Sequence, residues 1–179
     1  MRVDEIALRE FLHTRYPRLV AAVALVSGSR PAAEDAVQEA LLRAWERSEK
    51  GEEVESLDAW VTTVALNLSR SGLRRLRSER RAKARLHGSA WTEDLALGAD
   101  RALDVRRALA ALPRRQREAA VLRYYLQLDT REVAAALKVN EGTVKSTLFR
   151  ARAALADALG VEEPIEIEDP EEAKHRGTR

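Results

Sequence analysis

Four side chains suited to DNA contacts fall on one side of a predicted helix in the C-terminal third of the chain. They are Lys145, Ser146, Phe149 and Arg150, which share that side at about 100° of rotation per residue. Lysine and arginine donate to guanine edges or phosphates, a serine hydroxyl donates or accepts, and a phenyl ring lies against a thymine methyl group. The pattern predicts a helix that enters the major groove; the alternative is an exposed basic face that only solubilises the protein.

The elements that would position these side chains form a predicted helix-turn-helix between Leu112 and Leu155. Pro113 suits the first position of the first helix, since its missing N–H needs no partner there. Asp129 lies three residues before Glu132, the spacing of a capping box that begins the second helix. After a short turn, Asn140 is a strong N-cap for the third helix. The apolar residues predicted to line the buried faces of the three helices are Ala119, Val121, Leu122, Tyr125 and Leu126, then Val133, Ala134 and Leu137, then Val144, Leu148, Ala151 and Leu155.

The composition favours an all-α protein. The 179 residues are 45% hydrophobic but only 4% aromatic, and alanine, leucine, arginine and glutamate dominate. The absence of cysteine excludes disulfides, a thiol nucleophile and cysteine-ligated zinc. No stretch near the N-terminus has the long apolar core of a signal peptide or of a membrane span. We therefore expect a cytoplasmic protein without membrane insertion, cofactor, metal or catalytic residues.

Charge is unevenly distributed along the chain, although the formal net charge is only +2. One basic block comprises Arg70, Arg74, Arg75, Arg77, Arg80, Arg81, Lys83 and Arg85. An acidic block near the C-terminus comprises Glu162, Glu163, Glu166, Glu168, Asp169, Glu171 and Glu172. The near-neutral total therefore hides two opposed blocks. We hypothesise that the acidic block competes with DNA for the basic segments; the alternative is a solvated tail without a role.

The first half of the chain is predicted to form three helices, at Asp4–Val26, at Pro31 to about Arg47 and at roughly Leu57–Leu86. Gly28 is expected to end the first helix and Ser29 to cap the second. A loop or bend is expected in the third, where two serines and a glycine interrupt the apolar pattern. The inward residues of the first helix are predicted to be Ile6, Phe11, Leu12, Leu19, Val20 and Val23.

The predicted organisation is two small helical domains joined by a flexible linker, the C-terminal one a helix-turn-helix. The boundaries are residues 1–86 for the first domain, 87–100 for the linker, 101–159 for the second domain and 160–179 for an acidic, disordered tail. A helix at Arg101–Ala111, with Val105 and Leu109 inward, opens the second domain.

Three blocks resemble one protein family. They are AEDAVQEALLRAW (Ala33–Trp45), DAWVTTVALNLSRSGLRRLR (Asp58–Arg77) and LPRRQREAAVLRYY, which begins at Leu112. In this order and spacing they resemble the extracytoplasmic-function (ECF) sigma factors of bacterial RNA polymerase, over most of residues 6–158. The resemblance implies a subunit that binds core polymerase and directs it to promoters.

The resemblance assigns a role to each domain. It implies that region 2, within residues 1–86, binds the coiled-coil helices of the polymerase β′ subunit and opens the promoter −10 element. The implied β′-binding residues are Asp35, Gln38, Glu39, Arg43 and Trp45. The implied −10 residues are Asn67, Arg70, Arg74 and Arg75, of which Asn67 suits a base edge and the arginines suit phosphates. Trp60, close to this segment, is expected to pack in the core instead.

Region 4, within residues 101–159, is implied to recognise the −35 element through Lys145, Ser146, Phe149 and Arg150 and to rest on the β flap. An anti-sigma factor is a further candidate partner. Thr147, Lys138 and Leu66 depart from the family pattern, which usually has a basic residue, a glycine and often an arginine at these places.

Other classes of protein stay open at this point. A conventional helix-turn-helix regulator would bind duplex DNA without polymerase, often as a dimer. An enzyme would have to use His13, His87 or His175, but these lie in separate segments without a metal-binding or phosphate-binding motif. An anti-sigma protein or helical scaffold would not need both a recognition helix and a melting segment.

Overall fold

The computed structural model describes residues 3–83 and 101–161, with the backbone alone for residues 71–83 and 101. The predicted linker and most of the predicted acidic tail lie outside the described residues. Within the described part the secondary structure is helical, without a β-strand. Its elements are α1 (Glu5–Thr14), α2 (Tyr16–Ser27), α3 (Arg30–Glu49), α4 (Leu57–Lys83), α5 (Arg101–Ala111), α6 (Arg114–Ala120), a π-helical turn (Val121–Tyr125), α7 (Thr130–Leu137) and α8 (Glu141–Leu159).

The first predicted helix is two helices, so the prediction of one helix over Asp4–Val26 is wrong. Asp4 caps α1 by accepting from the Ala7 N–H at 2.9 Å. The chain then bends at Arg15, whose φ of −110° departs from helical geometry. The cause is Pro17, which has no N–H to continue the hydrogen-bond ladder of α1 and takes a first-turn position in α2 instead.

The junction between α2 and α3 agrees with its prediction. Gly28 ends α2 in the left-handed conformation, with φ 78°, and donates its N–H to Ala24 O at 2.7 Å. Ser29 caps α3 by accepting from the Ala32 N–H at 3.4 Å. Both expected roles are confirmed, because each depends on groups within four residues.

The predicted break in the third helix is wrong. The backbone of α4 is helical from Leu57 to Lys83 without interruption. Ser69, one of the residues expected to loosen it, is buried and donates its hydroxyl to Leu66 O at 2.9 Å. A serine satisfied by its own helix in this way does not compete for the helical backbone.

The buried residues of the N-terminal helices α1–α4 and the C-terminal helices α5–α8 form one continuous core. α3 packs against α2 and α4, while α2 also contacts α5, α6 and the π-helical turn. α4 contacts α7, so both halves of the chain meet along two helices. Three residues predicted to face inward are instead exposed: Ile6 by 77%, Leu12 by 47% and Val105 by 43%.

The helix-turn-helix follows the sequence pattern with one addition. α6 begins at Arg114 with Pro113 as its N-cap, one residue later than predicted. It continues into the π-helical turn, in which the Leu126 N–H donates to Val121 O, five residues earlier, at 3.1 Å. The Asp129–Glu132 capping box is confirmed, since each side chain accepts from the other's backbone N–H at 2.7 Å.

Lys138 ends α7 in the left-handed conformation, with φ 55° and ψ 51°. Its N–H donates to Ala135 O at 3.2 Å, which closes the turn before α8. This region of the Ramachandran map favours glycine, because a Cβ there approaches the following carbonyl oxygen. Lys138 thus keeps the left-handed turn geometry at the position where the family pattern has a glycine.

We expect Lys138→Gly to raise the free energy of unfolding by about 0.5–1 kcal/mol, since relief of strain exceeds the added entropy of the unfolded chain. Urea unfolding followed by circular dichroism measures the change. Lys138→Ala is the control, because it removes the charged side chain but keeps the Cβ, and no gain is expected from it. An equal gain in both variants would show that the backbone is not strained.

Candidate nucleic-acid interface

The N-terminus of α8 is held by a network of short hydrogen bonds around Asn140. The Asn140 Oδ1 atom accepts from the Thr143 N–H at 2.7 Å and from the Thr143 hydroxyl at 2.8 Å. Asn140 is therefore the N-cap that the sequence predicts. The first turn of the helix, which docks closest to base edges in helix-turn-helix proteins, is fixed before any DNA is bound.

Opposite faces of α8 have opposite environments. Val144, Leu148 and Ala151 are buried against the neighbouring helices, while the four predicted DNA-contacting residues are all exposed. Phe149 has 67% of its surface exposed, which is unusual for a phenylalanine in a monomeric protein and leaves its ring available to a partner.

The surroundings of Ser146 and Thr147 on α8 bear on the predicted DNA contacts. The Ser146 hydroxyl donates to Thr143 O at 3.1 Å, so its oxygen lone pairs remain as the available polar group. Thr147 is half-buried rather than exposed. The Cβ atom of a basic residue at position 147 would therefore lie at the edge of the core.

The predicted −10 residues lie on α4, and two of them touch. The Arg70 Nη1 atom donates to Asn67 Oδ1 at 2.8 Å. The rest of the Arg70 guanidinium donates to Glu118 of α6, from Nε to Oε1 at 2.9 Å and from Nη2 to Oε2 at 2.8 Å. The side chains of Arg74 and Arg75 lie outside the described residues. Trp60 packs partly buried against the core, as expected.

The predicted polymerase-binding residues lie along α3. Asp35, Gln38 and Arg43 are exposed and Glu39 is half-buried; Arg43 donates to Glu39 Oε1 at 2.7 Å. Gln38 donates to the Tyr16 hydroxyl at 3.3 Å, which ties this face to α2.

Leu42 belongs to the same face of α3, but the sequence analysis did not identify it. It is 52% exposed and follows Gln38 and Glu39 at the i+4 and i+3 positions. Its spacing from Gln38 and Glu39 places it on their face of the helix, but apolar residues of a helix are normally assigned to the core. Trp45, three residues further, is half-buried. The face therefore combines charge with apolar surface, as protein interfaces do.

Glu118, Arg18 and Arg117 are also absent from the sequence-based predictions. Each joins the N-terminal helices to the C-terminal helices, through partners between 48 and 107 residues away in the chain. No local pattern identifies such pairs.

Of the three histidines, His13 alone lies among the described residues. The His13 ring lies 2.8 Å from Arg9 O, and His87 and His175 lie outside the described residues. No group of three His, Asp or Glu side chains able to hold a metal ion occurs among residues 3–83 and 101–161. In the same part of the chain, no helix is both long and apolar enough to cross a membrane.

Two regions of the chain match known sequence families. Residues 12–82 match Sigma-70 region 2, and residues 102–155 match Sigma-70 region 4. The RNA polymerase sigma-E factor of Streptomyces coelicolor is 35% identical over 158 residues, which cover 87% of this chain and 88% of that protein. The ECF RNA polymerase sigma factor SigM of Mycobacterium tuberculosis is 32% identical over 163 residues, covering 88% of this chain and 79% of that protein.

A solved structure supports the same assignment. The sigma factor RpoE of Bartonella quintana, determined in complex with the anti-sigma factor NepR, superposes with a TM-score of 0.75 at 29% identity, covering 89% of this chain and all of that one. CnrH, solved with the cytosolic domain of CnrY, has the same fold, with a TM-score of 0.64 at 22% identity. Two all-α domains, regions 2 and 4, thus define a sigma-70 type of protein.

The chain belongs to the ECF sigma factors. As a sigma factor it binds RNA polymerase and directs promoter-specific transcription initiation. The expected all-α fold and the expected family are both confirmed.

Asn140→Ala should lower the free energy of unfolding by about 1 kcal/mol, since the Thr143 N–H loses its acceptor. Urea unfolding followed by circular dichroism measures this loss. Asn140→Asp is the matched control, because aspartate caps as well as asparagine does. If the aspartate variant lost as much stability as the alanine variant, the cap would not be what holds the first turn of α8.

Proposed function

We propose that region 4 recognises the −35 element through Lys145, Ser146, Phe149 and Arg150. The observation that carries this assignment is the exposed outer face of α8 on a helix whose first turn is capped and whose inner face is buried. Arg150 contacts phosphates and so fixes the position of α8 on the duplex, while Lys145, Ser146 and Phe149 contact base edges. Ser146 acts there as an acceptor, because its proton is already donated to Thr143 O.

We propose that Asn67, Arg70, Arg74 and Arg75 of region 2 hold the −10 strand after the duplex opens. A base drawn out of the stack pairs with the Asn67 amide, and the arginines bind the backbone phosphates. Capture of one base and of backbone charge offsets the few kcal/mol of stacking that melting costs. Leu66, fully buried at a place where the family often has arginine, leaves one contact fewer on this strand.

We propose that the face of α3 formed by Asp35, Gln38, Glu39, Arg43 and Trp45 binds the β′ coiled coil, with Leu42 at its centre. Carboxylates on this face complement basic and polar groups on the partner. The exposed Leu42 side chain adds the desolvated apolar contact that such interfaces have near their middle.

We propose the wider organisation from the same assignment. Region 2 occupies residues 1–86 and region 4 residues 101–159, with a linker at 87–100 and an acidic tail from 160. Region 4 rests on the β flap. An anti-sigma factor is a candidate partner because the similar Bartonella quintana protein was solved bound to one. The protein works in the bacterial cytoplasm, where the polymerase is, and catalyses nothing itself.

The test is transcription from genomic fragments of the source bacterium with core polymerase, with and without this chain. We expect new transcript start sites preceded by shared −35 and −10 sequences, together with permanganate-reactive thymines at the −10 element. Core polymerase alone is the control. No enrichment of any start site would contradict the proposed function.

We expect substitutions on α8 to separate the two kinds of DNA contact. Arg150→Ala should reduce by about 1 the slope of log affinity against log salt for duplex DNA and weaken binding to all sequences alike. Phe149→Ala should instead lower affinity for the mapped −35 duplex alone, by about fivefold or more. Fluorescence anisotropy of labelled duplexes measures both.

Arg9→Ala is the control for both variants. Arg9 is an exposed arginine on α1 paired with Glu5, away from α8, so its loss should leave duplex binding unchanged. A sequence-independent loss in Phe149→Ala would exclude a base contact for this ring.

A further inference from the structure

Gly142 lies in the first turn of α8, on the face that is proposed above to meet DNA, and that proposal gives it no role. At about 100° of rotation per residue, Phe149 lies within about 20° of Gly142 around the helix axis, and Ser146 within about 40°. The buried Val144 and Leu148 lie on the opposite side of the helix. Gly142 is exposed and is therefore at the middle of the outer face.

The fold gives no reason for a glycine at position 142. Among the described residues, the glycines in the left-handed conformation are Gly28, Gly51 and Gly160, so Gly142 does not need the conformational freedom of a glycine. A Cβ atom at position 142 would lie 3.5 Å from the Asn140 side-chain oxygen, an ordinary van der Waals distance. Glycine also destabilises a helix relative to alanine, because it loses more backbone freedom on folding.

Side chains along the outer face of α8 increase in size away from its N-terminus. Gly142 has none, Ser146 one turn later has a hydroxymethyl group, and Phe149 two turns later has a phenyl ring that is 67% exposed. An α-helix with its side chains is about 10–12 Å across and the major groove is about 12 Å wide, so bulk on the outer face decides how closely the helix approaches the bases. The face is narrowest at the end that contacts base edges in helix-turn-helix proteins.

We propose that Gly142 sets the depth at which α8 enters the major groove. Its bare backbone lies against base edges of the −35 element, where a Cβ atom would hold the helix away from the groove floor. Glycine is the residue that lets a backbone approach a ligand this closely. Gly142 is a positioning residue, because it brings Ser146 and Phe149 within reach of the bases. This role rests on the function proposed above for the outer face of α8.

The first measurement is the affinity of the full chain for two labelled duplexes, the mapped −35 sequence and a scrambled sequence of equal length, by fluorescence anisotropy. We expect Gly142→Ala to bind the −35 duplex about tenfold more weakly, in the range that one disturbed base contact costs, and Gly142→Leu to bind it more weakly still. Both variants should bind the scrambled duplex as the parent chain does, because non-specific binding depends on phosphate contacts.

Ala158→Ser is the matched control on the same helix. Ala158 is exposed near the C-terminal end of α8, about 160° around the helix axis from Gly142. Serine adds one heavy atom at position 158, as alanine does at position 142. The affinity of this variant for both duplexes should equal that of the parent chain.

Urea unfolding separates this role from a role in folding. Gly142→Ala should raise the urea concentration at the midpoint of unfolding, since alanine loses less backbone freedom on folding and its Cβ atom has room. Weaker −35 binding by a more stable variant cannot arise from misfolding. A lower midpoint would show that the fold itself needs the glycine, which would overturn the proposal.

A double-mutant cycle tests whether Gly142 acts through Phe149. In the parent chain, Phe149→Ala is expected to weaken −35 binding by about fivefold or more. In the Gly142→Ala chain the same substitution should weaken it by about twofold or less, because the ring already fails to reach the bases.

Three outcomes count against the proposal. Equal affinity of Gly142→Ala and the parent chain for the −35 duplex would overturn it. An equal loss on both duplexes would exclude the base edges as the contact, and equal effects of Phe149→Ala in both backgrounds would exclude the control of depth. Failure of the function proposed for α8 is distinguishable, because the parent chain itself would then show no preference for the −35 duplex.

Discussion

A buried carboxylate between the two regions is the interaction on which their arrangement most depends. Glu118 is fully removed from solvent, and a charge in that position is tolerated only when neighbouring groups satisfy it. Arg70 and Arg114 do so from two helices, one in each region. Removal of one partner from a buried pair of this kind costs about 3–5 kcal/mol, whereas exposed pairs such as Arg9–Glu5 are worth at most about 1 kcal/mol. The apolar core between the regions gives them area of contact, and the pairing of Glu118 with Arg70 gives them a specific register.

The three surfaces proposed to bind −35 DNA, −10 DNA and polymerase differ in how their side chains are held. The outer face of α8 is positioned by local hydrogen bonds at Asn140 and by buried residues beneath it, so its side chains are presented on a rigid support. The face of α3 has charged and polar residues around the exposed Leu42, which suits an interface that excludes water at its centre. Asn67 and Arg70 are half-buried, and Arg70 is held by hydrogen bonds to Glu118 and Asn67.

The sequence was informative wherever a feature is decided within one helical turn. The Gly28–Ser29 junction, the Asp129–Glu132 capping box and the Asn140 cap all agree with the structure, because donor and acceptor lie within four residues. It failed where the outcome depends on distant packing. Ile6 and Val105 have the periodicity of buried residues, but in the described part of the chain no helix covers them. The bend before Pro17 was not predicted, because the apolar pattern continues across it. The roles of Glu118 and Arg18 could not be predicted, since a chain separation of 48 or 107 residues carries no periodic signal.

The contacts of Arg18 and Arg117 have a property that side-chain pairs lack. Their acceptors, Tyr125 O and Val26 O, are main-chain carbonyl oxygens, which every residue type supplies. A substitution at position 26 that keeps the local backbone path therefore keeps the acceptor of Arg117, whereas Tyr125 also contributes its ring, whose centre lies 5.9 Å from Arg18. Among related chains, an arginine at position 18 together with an aromatic residue at position 125 would indicate that the two regions keep this contact.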